Sequence, residues 1–268
     1  MTDLAPLRFA VPSSLGEDLE AKTRQLGAFL THALGQAVEV LVPPSYEQLA
    51  RDLLAATVDA AWAPPFVCAR IEAMGVRVLV RGQRQGASTY RAALVCRREA
   101  TLTLDTLAGT TAAWADRDSV GGYLLAMAWL KEHGQEASRL FFRQDFLGSY
   151  RRSLEAVLDG RADVTSVFAP TARPGATAPD ATGLDEVWPE EARQFRVLAF
   201  TDDSPNDGVA VAMSAPATLV TSLEKAFLSM HHTPSGLRVL SECFHAERFE
   251  AAPRMGYRAL YRVALASL

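Results

Sequence analysis

Residues 113–130, AWADRDSVGGYLLAMAWL, combine an apolar strand, a polar glycine-containing turn and an apolar helix. The strand is predicted over residues 111–115, the turn over 116–122 and the helix from Tyr123 onward. Such a turn leaves backbone N–H groups unpaired at a helix start, where the helix dipole also favours negative charge. The pattern therefore predicts that the turn forms one side of a ligand site, with an anionic group as its natural partner.

Strands and helices alternate in the rest of the chain. Apolar runs at residues 7–11, 38–42 and 58–62 are each followed by a helical pattern, and a fourth strand is predicted at 76–80. This alternation is typical of parallel sheets with helices on both faces. Right-handed crossovers place the loops that follow the strands at one sheet edge, where such folds bind ligands.

Composition narrows the class of protein. The 268 residues suit one large domain or two small ones, with 49% hydrophobic and 22% charged residues, as in ordinary globular proteins. The net charge of −4 provides no basic field for nucleic acid or anionic membranes. No apolar run is long enough to span a bilayer.

The sequence shows no familiar catalytic or metal-binding motif. Cys68, Cys96 and Cys243 lack close spacing and are predicted to be buried thiols in a reducing compartment. No histidine pairs with cysteines or carboxylates at metal-ligand spacing, and no nucleophile elbow or nucleotide-binding loop is visible. We therefore predict no metal, no cofactor and no catalytic residue. The first residues show no secretory signal, which predicts a cytoplasmic location, or a periplasmic one if the start is misassigned.

Several motifs resemble, in order, those of the phosphonate-type periplasmic substrate-binding proteins of ABC transporters. They are Ser45-Tyr46 with VDAAWAPPF, LDTLAG with TTAAWADRDSVGGYLLAMAWLKEHG, GSY with VLDGRADV, FRVLAFTDDSPNDGVAVAM, and MGYRALYRV. The resemblance implies an α/β, two-lobed type II periplasmic-binding-protein-like fold. Each lobe is then a mostly parallel sheet flanked by helices. Residues 1–97 and 205–268 form lobe 1, residues 98–204 form lobe 2, and hinge strands lie near 90–97 and 195–201.

The resemblance and the residue types together give a set of candidate ligand contacts. Helix starts supply backbone N–H groups and hydroxyls, and aromatic side chains supply walls for a ring or a cationic group. The predicted ligand-binding residues are Ser13, Ser14, Tyr46, Trp62, Pro64, Tyr90, Asp118, Ser119, Val120, Gly121, Tyr150, Asp163 and Asp207.

Simpler interpretations remain open for several of these residues. Asp118 and Ser119 suit a solvated helix cap, Asp207 suits a turn, and aromatic residues near strand ends often belong to the core. The resembling family usually carries a Ser/Thr/Ser run where this chain has Ser119, Val120 and Gly121, and often a histidine where it has Tyr150. The predicted ligand is therefore not a simple phosphonate.

The favoured function is a non-catalytic solute-binding protein that closes on a small polar or anionic ligand between two lobes. The ligand is phosphonate-like, phosphate-like or another oxyanion, with or without an amino group. The expected partners are this small molecule and an ABC permease or a signalling protein, with no nucleic acid and a monomeric state. The alternative is a cytoplasmic enzyme of cofactor biosynthesis on the same fold, with Asp116, Asp118 or Asp163 as the acid or base.

Overall fold

The computed structural model describes residues 5–12, 18–84, 86–171 and 182–261. The chain forms two compact units. The first unit contains Met1–Ser88 and Pro205–Leu268, and the second contains Thr89–Ser204. The expected boundary at residue 97 differs from this division, because the strand that begins at Thr89 pairs with strands of the second unit.

The secondary structure alternates as the sequence predicts. The strands are β1 Leu7–Ala10, β2 Val38–Leu41, β3 Ala60–Ala63, β4 Arg77–Gln83, β5 Thr89–Arg97, β6 Thr110–Trp114, β7 Phe141–Phe146, β8 Val164–Pro170, β9 Phe195–Phe200, β10 Ser204–Pro205, β11 Gly208–Val211 and β12 Arg248–Ala251. The α-helices are α1 Leu19–Leu34, α2 Tyr46–Leu54, α3 Pro65–Ala73, α4 Leu125–Glu132, α5 Ala137–Leu140, α6 Tyr150–Leu158, α7 Leu184–Val187, α8 Ala217–Ser229 and α9 Pro234–Val239.

Short helical segments of other types extend or join these elements. The π-helical segments are Val120–Leu124 and Leu240–Phe244. The 3₁₀ segments are Leu104–Thr106, Ala192–Gln194, Met230–His232 and Arg258–Leu260.

The sheet of the first unit has the strand order β12-β4-β11-β3-β1-β2. β1 is parallel to β2 and β3, whereas β11 is antiparallel to both β3 and β4. β4 therefore runs in the same direction as β3. An aromatic cluster of Phe9, Trp62, Phe227, Phe244 and Phe249 lies in the core on one face of this sheet. It fixes α8 and the return strand β12 against the sheet, because these apolar rings are all buried.

The sheet of the second unit has the order β10-β5-β8-β6-β7, and β9 also pairs with β5. β6 is parallel to β7 and β8, whereas β5 is antiparallel to β8 and β9. Two separate apolar clusters cover the two faces: Trp114 packs with Leu130 of α4, and Val167 packs with Leu154 of α6. Helices therefore flank both faces, and the loops that follow β6 and β7 share one edge of the sheet.

Candidate ligand-binding site

The turn at residues 116–122 follows β6 and leads into the π-helical start of α4. Asp116 Oδ1 accepts a hydrogen bond from the Asp118 N–H at 2.9 Å, and Ser119 Oγ accepts one from the Gly122 N–H at 3.1 Å. The first backbone hydrogen bond of the π-helical segment is the one that the Leu124 N–H donates to the Ser119 carbonyl. The N–H groups of Val120 and Gly121 precede this first bond, so helix geometry gives them no intrahelical acceptor. The turn thus offers N–H donors where an anion is favoured.

The two glycines of the turn make room for Tyr150. A methyl group at Gly121 would lie 2.9 Å from the Tyr150 hydroxyl. A methyl group at Gly122 would lie 2.7 Å from Ala115 Cβ and 3.0 Å from the Tyr150 ring. These separations are shorter than ordinary van der Waals contact, so a side chain at either position would force the ring or the turn to move. The glycines and Tyr150 therefore form one packed unit.

Tyr150 is the first residue of α6, which follows β7. Ser149 caps this helix by accepting a hydrogen bond from the Arg152 N–H at 3.3 Å. The Tyr150 hydroxyl lies 3.5 Å from Ser119 Oγ, and its ring packs edge-on against Phe168 with 5.6 Å between centroids. The structure therefore brings Ser119, Val120, Gly121 and Tyr150 together at the carboxyl edge of the sheet.

Ser166 forms a hydrogen bond with the turn, and the sequence analysis did not identify it as a site residue. Its hydroxyl donates to the Gly121 carbonyl at 2.7 Å, and the side chain is fully buried in β8. The bond fixes the orientation of the peptide that follows Gly121. The available signal was the pair Thr165-Ser166, two polar residues within an otherwise apolar strand.

Asp163 lies at the opposite edge of the sheet from the turn. It precedes β8, its carboxylate accepts a hydrogen bond from the Thr111 N–H at 2.8 Å, and its own N–H donates to the Thr111 carbonyl. The first unit repeats this arrangement between Asp59 and Arg8, with the Arg8 N–H at 2.8 Å from the Asp59 carboxylate. These contacts hold neighbouring strands in register. The structure therefore does not bring Asp163 to the turn, and its carboxylate holds two strands together.

Asp207 is also engaged in structural contacts. Its carboxylate accepts a hydrogen bond from Arg84 Nη1 at 2.6 Å, and the same guanidinium donates to the carbonyls of Phe244 and His245 at 3.0 Å. The pair ties the start of β11 to the segment that follows β4. Asp207 thus has the structural role in a turn that its sequence context indicates, and ligand binding by it stays a prediction.

The other candidates of the first unit divide between surface and core. Tyr46 is half-buried at the start of α2, which Ser45 caps through a hydrogen bond from the Gln48 N–H at 3.1 Å. Trp62 is 3% exposed and packs against Phe244 at 4.9 Å, so it belongs to the core.

The remaining candidates have simple positions. Pro64 is buried directly before α3, Tyr90 is half-buried in β5, and Asp118 is exposed in the turn. Ser13 and Ser14 lie outside the described residues. Ligand binding by Tyr46, Pro64, Tyr90 and Asp118 stays a prediction.

The described ranges contain no group of three or more histidine, cysteine, aspartate or glutamate side chains placed to hold a metal ion. Among these same residues, no helix is both long and apolar enough to cross a membrane.

Comparison with known proteins decides the family. Residues 9–257 match the family model described as the phosphonate periplasmic substrate-binding protein of ABC transporters. The chain belongs to this family. The fold class and the substrate-binding function predicted from the sequence are therefore confirmed for this binding protein. No curated protein sequence matches the chain.

Solved structures share its fold. A Xanthomonas citri protein bound to ATP is 19% identical, with a TM-score of 0.78 over 98% of this chain and 96% of that one. The binding protein component of an ABC phosphonate transporter from Pseudomonas aeruginosa is 18% identical, with a TM-score of 0.69 over 97% and 86%. PhnD1 from Prochlorococcus marinus in complex with methylphosphonate is 15% identical, with a TM-score of 0.71 over 97% of each chain. At these identities the likeness establishes the fold alone.

Proposed function

We propose that this binding protein holds the oxyanion group of a small solute at the turn formed by residues 116–122. The observation that carries the proposal is the juxtaposition of a helix start with two hydroxyl groups, those of Ser119 and Tyr150, 3.5 Å apart. The Val120 and Gly121 N–H groups and the helix dipole favour a negatively charged oxygen there. Hydrogen bonds to a charged group contribute about 1.5–3 kcal/mol each, enough to select an anion.

The hydrogen-bond donors of this turn differ from those of the Ser/Thr/Ser run that the family usually carries at these positions. Val120 is buried and apolar. Residue 121 is a glycine, and Tyr150 occupies the space that a side chain at this position would need. The ligand therefore relies on backbone donors and on the hydroxyls of Ser119 and Tyr150. Solved relatives in fold are bound to ATP and to methylphosphonate, two molecules that carry phosphorus oxyanions, which supports this ligand class.

We infer that the protein acts in transport, without breaking a bond, and delivers its solute to an ABC permease. The family description supports both the permease partner and a periplasmic location. Of the three candidate acids or bases of the enzyme alternative, Asp163 accepts a hydrogen bond from the Thr111 N–H and Asp116 accepts one from the Asp118 N–H, which gives both a structural role.

Calorimetry tests this proposal with phosphate, methylphosphonate, 2-aminoethylphosphonate, taurine and ATP. At least one of these compounds is expected to bind and to stabilise the protein by about 1.4 kcal/mol at ten times Kd. Tyr150→Phe and Ser119→Ala should each weaken that binding roughly tenfold, the equivalent of one hydrogen bond to a charged group.

The matched control is Tyr123→Phe. The half-buried Tyr123 ring packs against Trp114 and Phe146 beside the core of the same unit, so the same chemical change there should leave affinity unchanged. Failure of the folded protein to bind any of these five compounds, each of which carries an oxyanion group, would refute the ligand class. Tight binding that neither Tyr150→Phe nor Ser119→Ala weakens would refute the site.

A further inference from the structure

β9, with the sequence FRVLAF, is an edge strand. Within the part of the chain that the structure describes, it pairs with β5 and with no other strand. Phe195 is buried, whereas the other five residues of the strand are half-exposed. An apolar strand with an open edge is a template for further strand pairing, and proteins ordinarily cover or block such edges.

The first unit contains an equivalent strand, β4. Each of the two is antiparallel to the strand beside it in the sheet, β11 for β4 and β5 for β9. Each also skips one residue in that pairing: Leu79 in β4 and Leu198 in β9. The shared irregularity aligns the two strands residue by residue, so that Leu198 takes the place of Leu79.

In the first unit, the outer edge of β4 is covered by a further strand, β12. β12 pairs with it in the antiparallel direction, from Arg248 opposite Gln83 to Ala251 opposite Val80. Glu250 of β12 forms an ion pair with Arg81 of β4 at 2.8 Å. The corresponding edge of β9 has no such strand within the described residues.

A groove of about 630 Å³ runs along this edge. Its lining combines apolar residues, among them Leu184 and Val197, with Arg98, Arg193 and Arg196. Arg98 Nε donates to the Arg193 carbonyl at 2.6 Å, and Arg196 donates to the carbonyls of Ala100 and Leu102.

Among the described residues, these three bonds are the hydrogen bonds that the guanidinium groups of the three arginines donate. Among described residues, no carboxylate forms an ion pair with any of its three arginines, although Asp185 also lines it. Guanidinium donors bind carboxylates well, so the groove is complementary to an acidic partner.

We propose that β9 is the docking edge for an extended acidic segment of a partner protein. The segment adds to the sheet antiparallel to β9, as β12 adds to β4, and its backbone supplies the main hydrogen bonds. The arginines lie at the start of β9, since the Arg98 N–H donates to the Gln194 carbonyl just before the strand. An antiparallel partner ends where β9 begins. Its carboxylates therefore belong in its C-terminal half.

Fluorescence anisotropy with labelled synthetic peptides tests both the chemistry and the direction. The probe VTVTEVEE has strand-forming residues first and carboxylates last, and the control EEVETVTV has the same composition in reverse. The proposal expects the probe to bind at least tenfold more tightly than the control, with an affinity that falls as salt rises. Equal binding of the two peptides, or binding of neither, would overturn it.

Charge reversal identifies the groove. Arg193 is exposed, and its side chain makes no hydrogen bond or ion pair with another described residue, so Arg193→Glu should fold normally. This variant should weaken probe binding about tenfold or more, because it places like charges together. Arg254→Glu makes the same change in net charge on the exposed surface of the other unit and should leave binding unchanged. Equal effects of the two variants would contradict the assignment.

Hydrogen exchange shows whether the edge is open. In the free protein, the outward amides of β9 should exchange quickly, and saturating VTVTEVEE should slow them. Slow exchange before peptide is added would show that the edge is already covered, and sedimentation would reveal whether a second copy covers it. Slow exchange in the free protein would overturn the proposal, whether or not a second copy covers the edge. This test does not depend on the proposed solute site.

Discussion

Thr165 and Ser166 are neighbours in β8 that differ in the hydrogen bonding of their hydroxyl groups. Thr165 is fully buried, and its hydroxyl has no hydrogen-bond partner among the described residues. Ser166 is equally buried, but its hydroxyl donates to the Gly121 carbonyl at 2.7 Å. Desolvation of a polar group without a partner costs about 1–3 kcal/mol, whereas a satisfied hydrogen bond contributes about 1 kcal/mol.

We expect Thr165→Val to raise the free energy of unfolding by about 1 kcal/mol, because valine fills the same space without a hydroxyl. Ser166→Ala should lower it by about 1 kcal/mol or more, since the Gly121 carbonyl loses its donor. Urea denaturation measures both changes. A loss of stability in Thr165→Val would show that this hydroxyl has a partner after all.

The close contact between Gly121 and Tyr150 allows a second prediction about single residues. Gly121→Ala should lower the free energy of unfolding by about 1–3 kcal/mol, because the new methyl group would lie 2.9 Å from the Tyr150 hydroxyl. Tyr150→Phe removes that oxygen and should recover part of the loss. A double-mutant cycle measures the coupling between the two changes. Strictly additive effects would show that the two groups do not meet.

At the scale of elements, the pairing of β12 with β4 depends partly on Glu250. Burial raises the pKa of the Glu250 carboxyl, but hydrogen bonds from Ser88 and Arg81 outweigh it and bring the pKa below the usual 4.5. A carboxyl with a depressed folded-state pKa stabilises the fold above its unfolded-state pKa. That stabilisation disappears as the pH falls through the folded-state value.

We therefore expect Glu250→Gln to be less stable than the wild type at pH 7. The difference should shrink as the pH falls below about 4.5 and vanish once Glu250 is protonated in the folded state. Urea denaturation across pH 2–7 measures this convergence. The matched control is Glu190→Gln, which makes the same chemical change at an exposed position of the other unit. A difference that stays constant with pH would contradict the role given to the Glu250 charge.

At the scale of the whole molecule, the three cysteines report on unfolding. Cys68, Cys96 and Cys243 are all buried. Burial raises the pKa of each thiol, and that of Cys243 rises to about 11. Only the thiolate reacts quickly with disulfide reagents or alkylating agents, so both access and ionisation protect these groups.

We expect the native protein to react slowly with a chromogenic disulfide reagent at pH 8 and to expose three reactive thiols in urea. The modification rate should follow the fraction unfolded, because a buried thiol becomes accessible through opening. A fast-reacting thiol in the native state would show that one unit opens locally at its cysteine.

Local patterns predicted most of the elements correctly. The apolar run at 38–42 is followed by a helix as expected: α2 runs from Tyr46 to Leu54, with Ser45 as its cap. β12 was missed, since RFEA is too short and too polar to stand out in the sequence. It forms because the β4 edge supplies partners for its backbone.

Residues only a few positions apart predict the alternation of most strands and helices and the helix start at Ser119. The ordered motifs along the whole chain predict the family. Tertiary structure decided the roles of individual side chains. Asp163 meets Thr111, Asp207 meets Arg84 and Trp62 meets Phe244, pairs that are distant in the chain. The fold alone brings such groups together, and what each side chain touches determines whether it holds the sheet, fills the core or faces a ligand.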